Sequence, residues 1–270
     1  MRQKASQQNT KPKNLLPQIT NNQIKIIKDI YKFRFINTPQ LQKFFNHKDS
    51  TTITEWLKDL RNKQYVDTDY KRTDIDINRK PASYFLAPLG RRFLKSQKGF
   101  DIDVLEKVYK EKGRKPVFKN RCLDIVDMYL FFKSQKEPDE ELKFFTESNL
   151  AKYGYFPKTQ FSAYIVLQEK RSIRRFFLHI FSSSDPTWLA RQKIRDYITY
   201  FNDNTWQENT DNSPFPALLF VLPTENLKFH IYKYGKAVLQ KEITVDLQLF
   251  LETKEAIKTK DPKYLWQKVE

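Results

Sequence analysis

The sequence predicts an α+β fold in two parts, a basic helical N-terminal part closed by a two-stranded hairpin and a mixed α/β C-terminal part. Three observations predict it. Apolar residues recur at helical spacing three times between residues 21 and 63. Period-two alternation and continuous apolar runs then dominate residues 161–222. The positive charge is also uneven. Of the formal +17, residues 1–95 carry 20 Lys and Arg against 8 Asp and Glu, net +12, whereas residues 96–270 carry 29 against 24, net +5. An AT-rich genome raises lysine throughout a chain, so it does not explain charge gathered in one third of it. A concentrated positive field is the footprint of a phosphate-binding surface.

The chain divides into a basic tail (1–19), a first domain (20–98), linking helices (99–138) and a second domain (139–270). The tail is polar and without periodicity. Residues 21–35 read as a helix capped by Asn21 or Asn22, with Ile24, Ile27 and Tyr31 at helical spacing and Ile30 beside them. Residues 38–46 read as a second, short helix, with Thr38 as cap, Pro39 in the first turn, and Leu41, Phe44 and Phe45 facing inward. Residues 49–63 form the third. Ile53, Trp56, Leu57 and Leu60 make one narrow apolar stripe, and Thr51, Glu55, Lys58 and Asn62 fall on the opposite face, with Thr54 at its edge. Alternation at Tyr65-Val66 and at Ser83–Leu86 predicts two strands. The charged segment between them, with Lys71, Arg72, Arg79 and Lys80, suits a long hairpin tip. A short helix, LGRRFLKSQ, follows.

Helix, helix, helix, hairpin is the order of a winged helix-turn-helix. Its third helix offers a polar face to the major groove, and its hairpin offers cations to phosphate. The expected partner is double-stranded DNA. The expected contacts are Thr51, Thr54, Glu55, Lys58 and Asn62 on the helix and Lys71, Arg72, Arg79 and Lys80 on the hairpin.

Residues 101–135 read as one or two helices, with LDIVDMYLFF packing against both halves. FSAYIVLQEKRSIRRFFLHIFSSS (161–184) reads as a strand hairpin with Lys170, Arg171, Arg174 and Arg175 at or near its turn. DPTWLARQKIRDYITYFND reads as a helix capped by Asp185 with Pro186 in its first position. PFPALLFVL (214–222) reads as a buried strand, LKFHIYKY as another strand, and the C-terminal stretch as short helices.

Together these segments resemble the replication-relaxation family of bacterial plasmids and other mobile genetic elements. The resemblance runs through LKDLRNKQYVDTDY, through SYFLAPLGRRFL with Gly90 and Leu94 in the family's places, and through FSAYIVL, RRFFLHIF and QKIRDYITYF. It covers most of residues 20–225. It implies a C-terminal half resembling a restriction-endonuclease-like core. Such cores hold a divalent metal between carboxylates and use it to activate water for phosphodiester cleavage. The three acidic places of the family are filled here by Ser162, His179 and Phe181, and only the basic place is kept, by Lys193. A lysine is a donor and holds no metal. The implied core is therefore degenerate, and the expected activity is binding without catalysis, with no cofactor. The rival readings are a metal-dependent DNA nuclease or nickase acting at other residues, and a protein–protein module within a DNA-processing complex. The resemblance also implies replication control, mobilisation or transcription as the setting, with replication or mobilisation proteins as further partners. A homodimer is a further expectation because winged-helix proteins often pair on palindromic sites, although the sequence shows no heptad seam.

Other chemistry lacks its residues. Cys122 is the only cysteine, which excludes an internal disulfide and a cysteine-based zinc site. His47, His179 and His230 are too scattered to make a metal site. With five glycines, neither GxxxxGK[ST] nor GxGxxG occurs. The serines at 182–184 have no His–Asp partner in the pattern. No apolar run approaches the ~20 residues of a membrane span, and the N-terminal residues lack the apolar region of a secretory signal. The expected compartment is the cytoplasm.

Overall fold

The computed structural model describes residues 16–69, 81–150, 153–170, 172–241, 246–262 and 265–270. Helix α1 (Asn21–Phe33) is capped by Thr20, not by Asn21 or Asn22. The Thr20 side chain accepts from the Gln23 amide, and the Gln23 side chain accepts from the Thr20 amide, so both orphan donors are satisfied. Its buried face is Gln23, Ile26, Ile27, Ile30 and Tyr31, rotated from the expected stripe so that Ile26 is buried and Ile24 is only partly so. A two-residue strand, β1 (Ile36–Asn37), leads into α2 (Thr38–Phe45). The cap of α2 is Asn37 rather than Thr38, because Asn37 and Gln40 form a second reciprocal pair. Helix α3 (Thr51–Asn62) buries Ile53, Leu57 and Leu60 completely. Truncating such a leucine to alanine costs about 2–5 kcal/mol.

Strands β2 (Val66–Thr68) and β3 (Ser83–Leu86) pair antiparallel with Val66 opposite Leu86, and β1 adds to the other edge of β3. Sequence reasoning missed β1 because two residues show no period. Helix α4 (Pro88–Lys95) packs against this sheet. Then come α5 (Ile102–Lys107), a 3-10 turn (Val108–Gly113) and the long α6 (Pro116–Gln135).

The second sheet has six strands in the order β4 (Glu141–Phe145), β5 (Ala163–Gln168), β6 (Ile173–Ile180), β7 (Ala217–Leu222), β8 (Leu249–Thr253), β9 (Gln267–Lys268). Strands β6, β7 and β8 are parallel, and the remaining neighbours are antiparallel. Parallel neighbours need crossovers. Helices α8 (Thr187–Asn202), with the short α9 (Thr205–Asn209), and α10 (Glu225–Leu239) supply them, while α7 (Glu147–Leu150) and α11 (Lys254–Thr259) are single turns. The segment LKFHIYKY, expected as a strand, lies inside α10. Its apparent alternation is misleading: Lys228, Ile231 and Gly235 are the buried residues, spaced by three and four.

Strand residues sort by parity. Ala163, Ile165, Leu167, Leu178, Ile180, Leu219 and Val221 join one cluster with α6 and the buried residues of α1–α3. Tyr164, Val166, Phe177, Leu218, Phe220 and Leu222 join another beneath α8 and α10. The sheet is therefore buried on both faces, as its near-continuous apolar strands require. The first cluster runs without interruption from the N-terminal helices into the second sheet. The chain is mixed α/β with two sheets.

Candidate nucleic-acid interface

Helix α3 is held by its apolar stripe and by one polar anchor. Asp59 accepts from Gln23 of α1 at 2.7 Å and from Lys63 at 2.7 Å through the same Oδ2. These bonds, that from Lys63 foremost, hold the Asp59 carboxyl below the usual range. Trp56 lies edge-on to Phe45 and to His47, both with ring centroids 5.5 Å away. His47 is thereby used in packing. At the start of α3, Asp49 Oδ1 accepts from the Thr51 amide at 2.8 Å and does the work of a cap.

The five residues expected to face DNA are all exposed on α3: Thr51, Thr54, Glu55, Lys58 and Asn62. Glu55, Lys58 and Asn62 leave their side chains without a hydrogen-bond or ion-pair partner among the described residues. The Thr51 side chain hydrogen-bonds Asp49, and the Thr54 hydroxyl donates to the Ser50 carbonyl at 2.8 Å and keeps only acceptor capacity outward. Lys71, Arg72, Arg79 and Lys80 lie between β2 and β3, outside the described residues. The base of that connection is fixed: Asp69 accepts from Ser83 at 2.9 Å and from Lys119 of α6 at 2.9 Å.

The second group of predicted residues converges. Ser162, His179, Phe181 and Lys193 all line one cavity of about 400 Å³. Ser162 accepts from the Ile180 amide through Oγ at 3.0 Å, completing the β5–β6 ladder. His179 is buried, with Nε2 2.9 Å from the Tyr197 hydroxyl and its ring against Phe220 and Phe181. Burial holds its pKa well below the usual histidine value, and Lys193 and Arg121 push it the same way. Lys193 donates to Thr159 Oγ1 at 2.8 Å and to the Gln160 carbonyl at 3.0 Å, both neutral. Burial lowers its pKa.

Sequence reasoning missed the other side of this cavity. Arg34 at the end of α1, Arg114 just before α6 and Arg121 within α6 line the same space. No spacing in the sequence links these three to Lys193. Asp185 and Glu147 also line it. Asp185 does not cap α8, whose first turn follows Pro186. Its carboxylate instead accepts from the Ser182 amide at 2.8 Å and from Arg121 at 2.9 Å on both oxygens. A carboxylate so engaged has little left for a metal.

Comparison with family models, with curated proteins and with solved structures gives no significant match.

At the β5–β6 turn, Arg174 is tied to Glu140 at 2.7 Å and Glu169 at 3.5 Å, and Arg171 is outside the described residues. Among the described residues no three His, Cys, Asp or Glu side chains gather as a metal site, and no helix is long and apolar enough to cross a membrane.

Proposed function

We propose that this chain binds duplex DNA through a winged helix formed by α1–α3 and the β1–β3–β2 sheet. Helix α3 is the recognition element, and the segment between β2 and β3 is the wing. One observation carries the reading. The polar residues Thr51, Thr54, Glu55, Lys58 and Asn62 share an exposed face of α3 whose opposite face is locked into the core. The same third of the chain holds +12 of the +17 charge. A helix presented in this way fits the ~12 Å major groove, and a net positive domain supplies the phosphate attraction.

The second sheet, in this reading, is a degenerate restriction-endonuclease-like core with a structural or DNA-contacting role. Ser162, His179 and Phe181 offer no carboxylate. The setting proposed is replication control, mobilisation or transcription of a mobile element, and it rests on the sequence resemblance to the replication-relaxation family alone.

A mobility shift with random duplex at low and moderate salt tests the reading. Salt-sensitive binding supports it, and no shift at low salt favours a protein–protein module instead. Incubation with supercoiled plasmid and Mg²⁺ or Mn²⁺ tests the catalytic rival. Reproducible nicking that disappears when one acidic residue is mutated overturns the non-enzymatic reading.

A further inference from the structure

The cavity between α6 and the β5–β6–α8 edge is lined by more positive charge than its own acids balance. Asp185 is matched by Arg121, and Arg34 by the buried Glu111. Two cations remain. Arg114 has its nearest carboxylate oxygen, from Glu111, 3.9 Å from Nε, beyond hydrogen-bond reach. Lys193 is bonded only to neutral oxygens.

The arginines are also incompletely satisfied. Arg34, Arg114 and Arg121 each leave a buried Nε–H with no acceptor, three of the six buried side-chain atoms in that condition among the described residues. Orphan donors are uncommon in native proteins and call for a cause. These Nε atoms are themselves closed to solvent, and the unpartnered Glu111 Oε2 lies 3.9 Å from that of Arg114.

The guanidinium groups are positioned in advance. Arg34 and Arg114 each lie 4.9 Å from the ring centroid of Phe118. Stacked arginines lose less freedom on binding an anion than free ones do. Burial and the neighbouring cations keep His179 neutral, so it adds no positive charge to the cavity.

We propose that this cavity is a binding site for the phosphate group of a single nucleotide unit, held by Arg114 and Lys193 with Arg121 behind them. Fixed planar forks match phosphate oxygens, and the charge assistance strengthens each bond. The volume of about 400 Å³ lies low in the ~300–1,000 Å³ range of small-ligand pockets. It accepts one nucleotide and not a double helix. The site is independent of the duplex reading at α3.

Calorimetric titration of the full chain tests this with four probes: 2′-deoxyadenosine, its 5′-monophosphate, and a thymidine tetranucleotide with and without a 5′-phosphate. The phosphorylated probe of at least one pair binds, and its unphosphorylated partner binds at least about tenfold more weakly. Preference for the tetranucleotide identifies a strand end as the source of the phosphate, and equal affinity identifies a free nucleotide. Arg114→Gln, at a partly exposed side chain, and Lys193→Gln each weaken the phosphorylated probe, and Lys236→Ala, on the exposed face of α10, leaves it unchanged. No binding of either phosphorylated probe, or equal affinity with and without phosphate, overturns the proposal. So does unchanged affinity in a folded Arg114→Gln variant. If both variants unfold, the wild-type comparison of phosphorylated with unphosphorylated probes still decides the outcome.

Discussion

The main-chain carbonyl of Tyr65 fills the space into which a Cβ on Gly90 would project. The approach is enforced by hydrogen bonds on either side, from the Ala87 amide to Tyr65 O at 3.0 Å and from the Leu89 amide to Gln64 O at 3.2 Å. Helix α4 is thereby seated on the strand that leaves α3. Alanine in place of glycine inside an unconstrained helix stabilises by ~0.5–1 kcal/mol. Here Gly90→Ala is expected to do the opposite and cost about 1–3 kcal/mol through overpacking. Thermal or urea denaturation gives the sign directly, and a stabilised variant contradicts the packing described.

Asp29 on α1 titrates out of its ordinary range. Burial pushes its carboxyl up to about 6, against the opposing pull of Lys32, Lys133 and Lys25. Lys32 is itself held among the rings of Phe33, Tyr129 and Phe144, with its Nζ 5.0–5.8 Å from their centroids. A carboxyl whose folded pKa is raised favours the fold at acid pH, and that contribution is lost as pH rises from about 4 through about 6. Asp29→Asn is expected to remove this dependence and to be more stable at pH 7 by about 1–3 kcal/mol. Unfolding free energies measured between pH 4 and 7 check it. Parallel curves for the two proteins would show that Asp29 ionises freely.

Cys122 is buried beside Phe35 and Phe85, and burial pushes its thiol up to about 12. The thiolate is the reactive species. Alkylation by iodoacetamide at pH 8 is expected to be negligible in the native protein and complete in denaturant. Rapid native labelling would place Cys122 at the surface.

Lys228 and Glu252 form a buried ion pair at 2.7 Å between α10 and the end of β8. Burial alone would raise the Glu252 carboxyl. Hydrogen bonds from Lys228, the Thr253 amide and Lys260 outweigh it and hold the group below the usual range. Lys228→Met leaves a buried carboxylate short of its main partner and is expected to cost about 3–5 kcal/mol. The double variant with Glu252→Gln should recover part of that loss. A single variant within 1 kcal/mol of wild type, measured by chemical denaturation, contradicts the pairing.

What the sequence revealed follows the physics of each element. Helix α3 was legible because Ile53, Leu57 and Leu60 repeat at helical spacing and all bury. Strands β5, β6 and β7 were legible because both their faces are apolar. Helix α10 was not, since Leu227, Phe229 and Ile231 mimic a strand. Phe229 is in fact 53% exposed and stacks under Lys233 one turn on. The decisive signal was Thr224, whose side chain caps the Leu227 amide. At the cavity, Ser162, His179, Phe181 and Lys193 were found as a set. Their partners Arg34, Arg114 and Arg121 were not, because only the packing of α1 and α6 against the second sheet brings them there.

The most direct test of DNA binding is the salt dependence of duplex affinity for the wild type and for a Lys58→Ala/Arg72→Ala variant. Arg72 enters on sequence grounds alone. Fluorescence anisotropy with a random duplex across a range of NaCl concentrations provides it. Binding that weakens steeply with salt is expected for the wild type. In the variant, affinity should fall, and the slope of log K against log salt should flatten by about 2, or ~0.9 per lost phosphate contact. Absence of binding at low salt, or a variant with unchanged affinity and slope, would contradict the account.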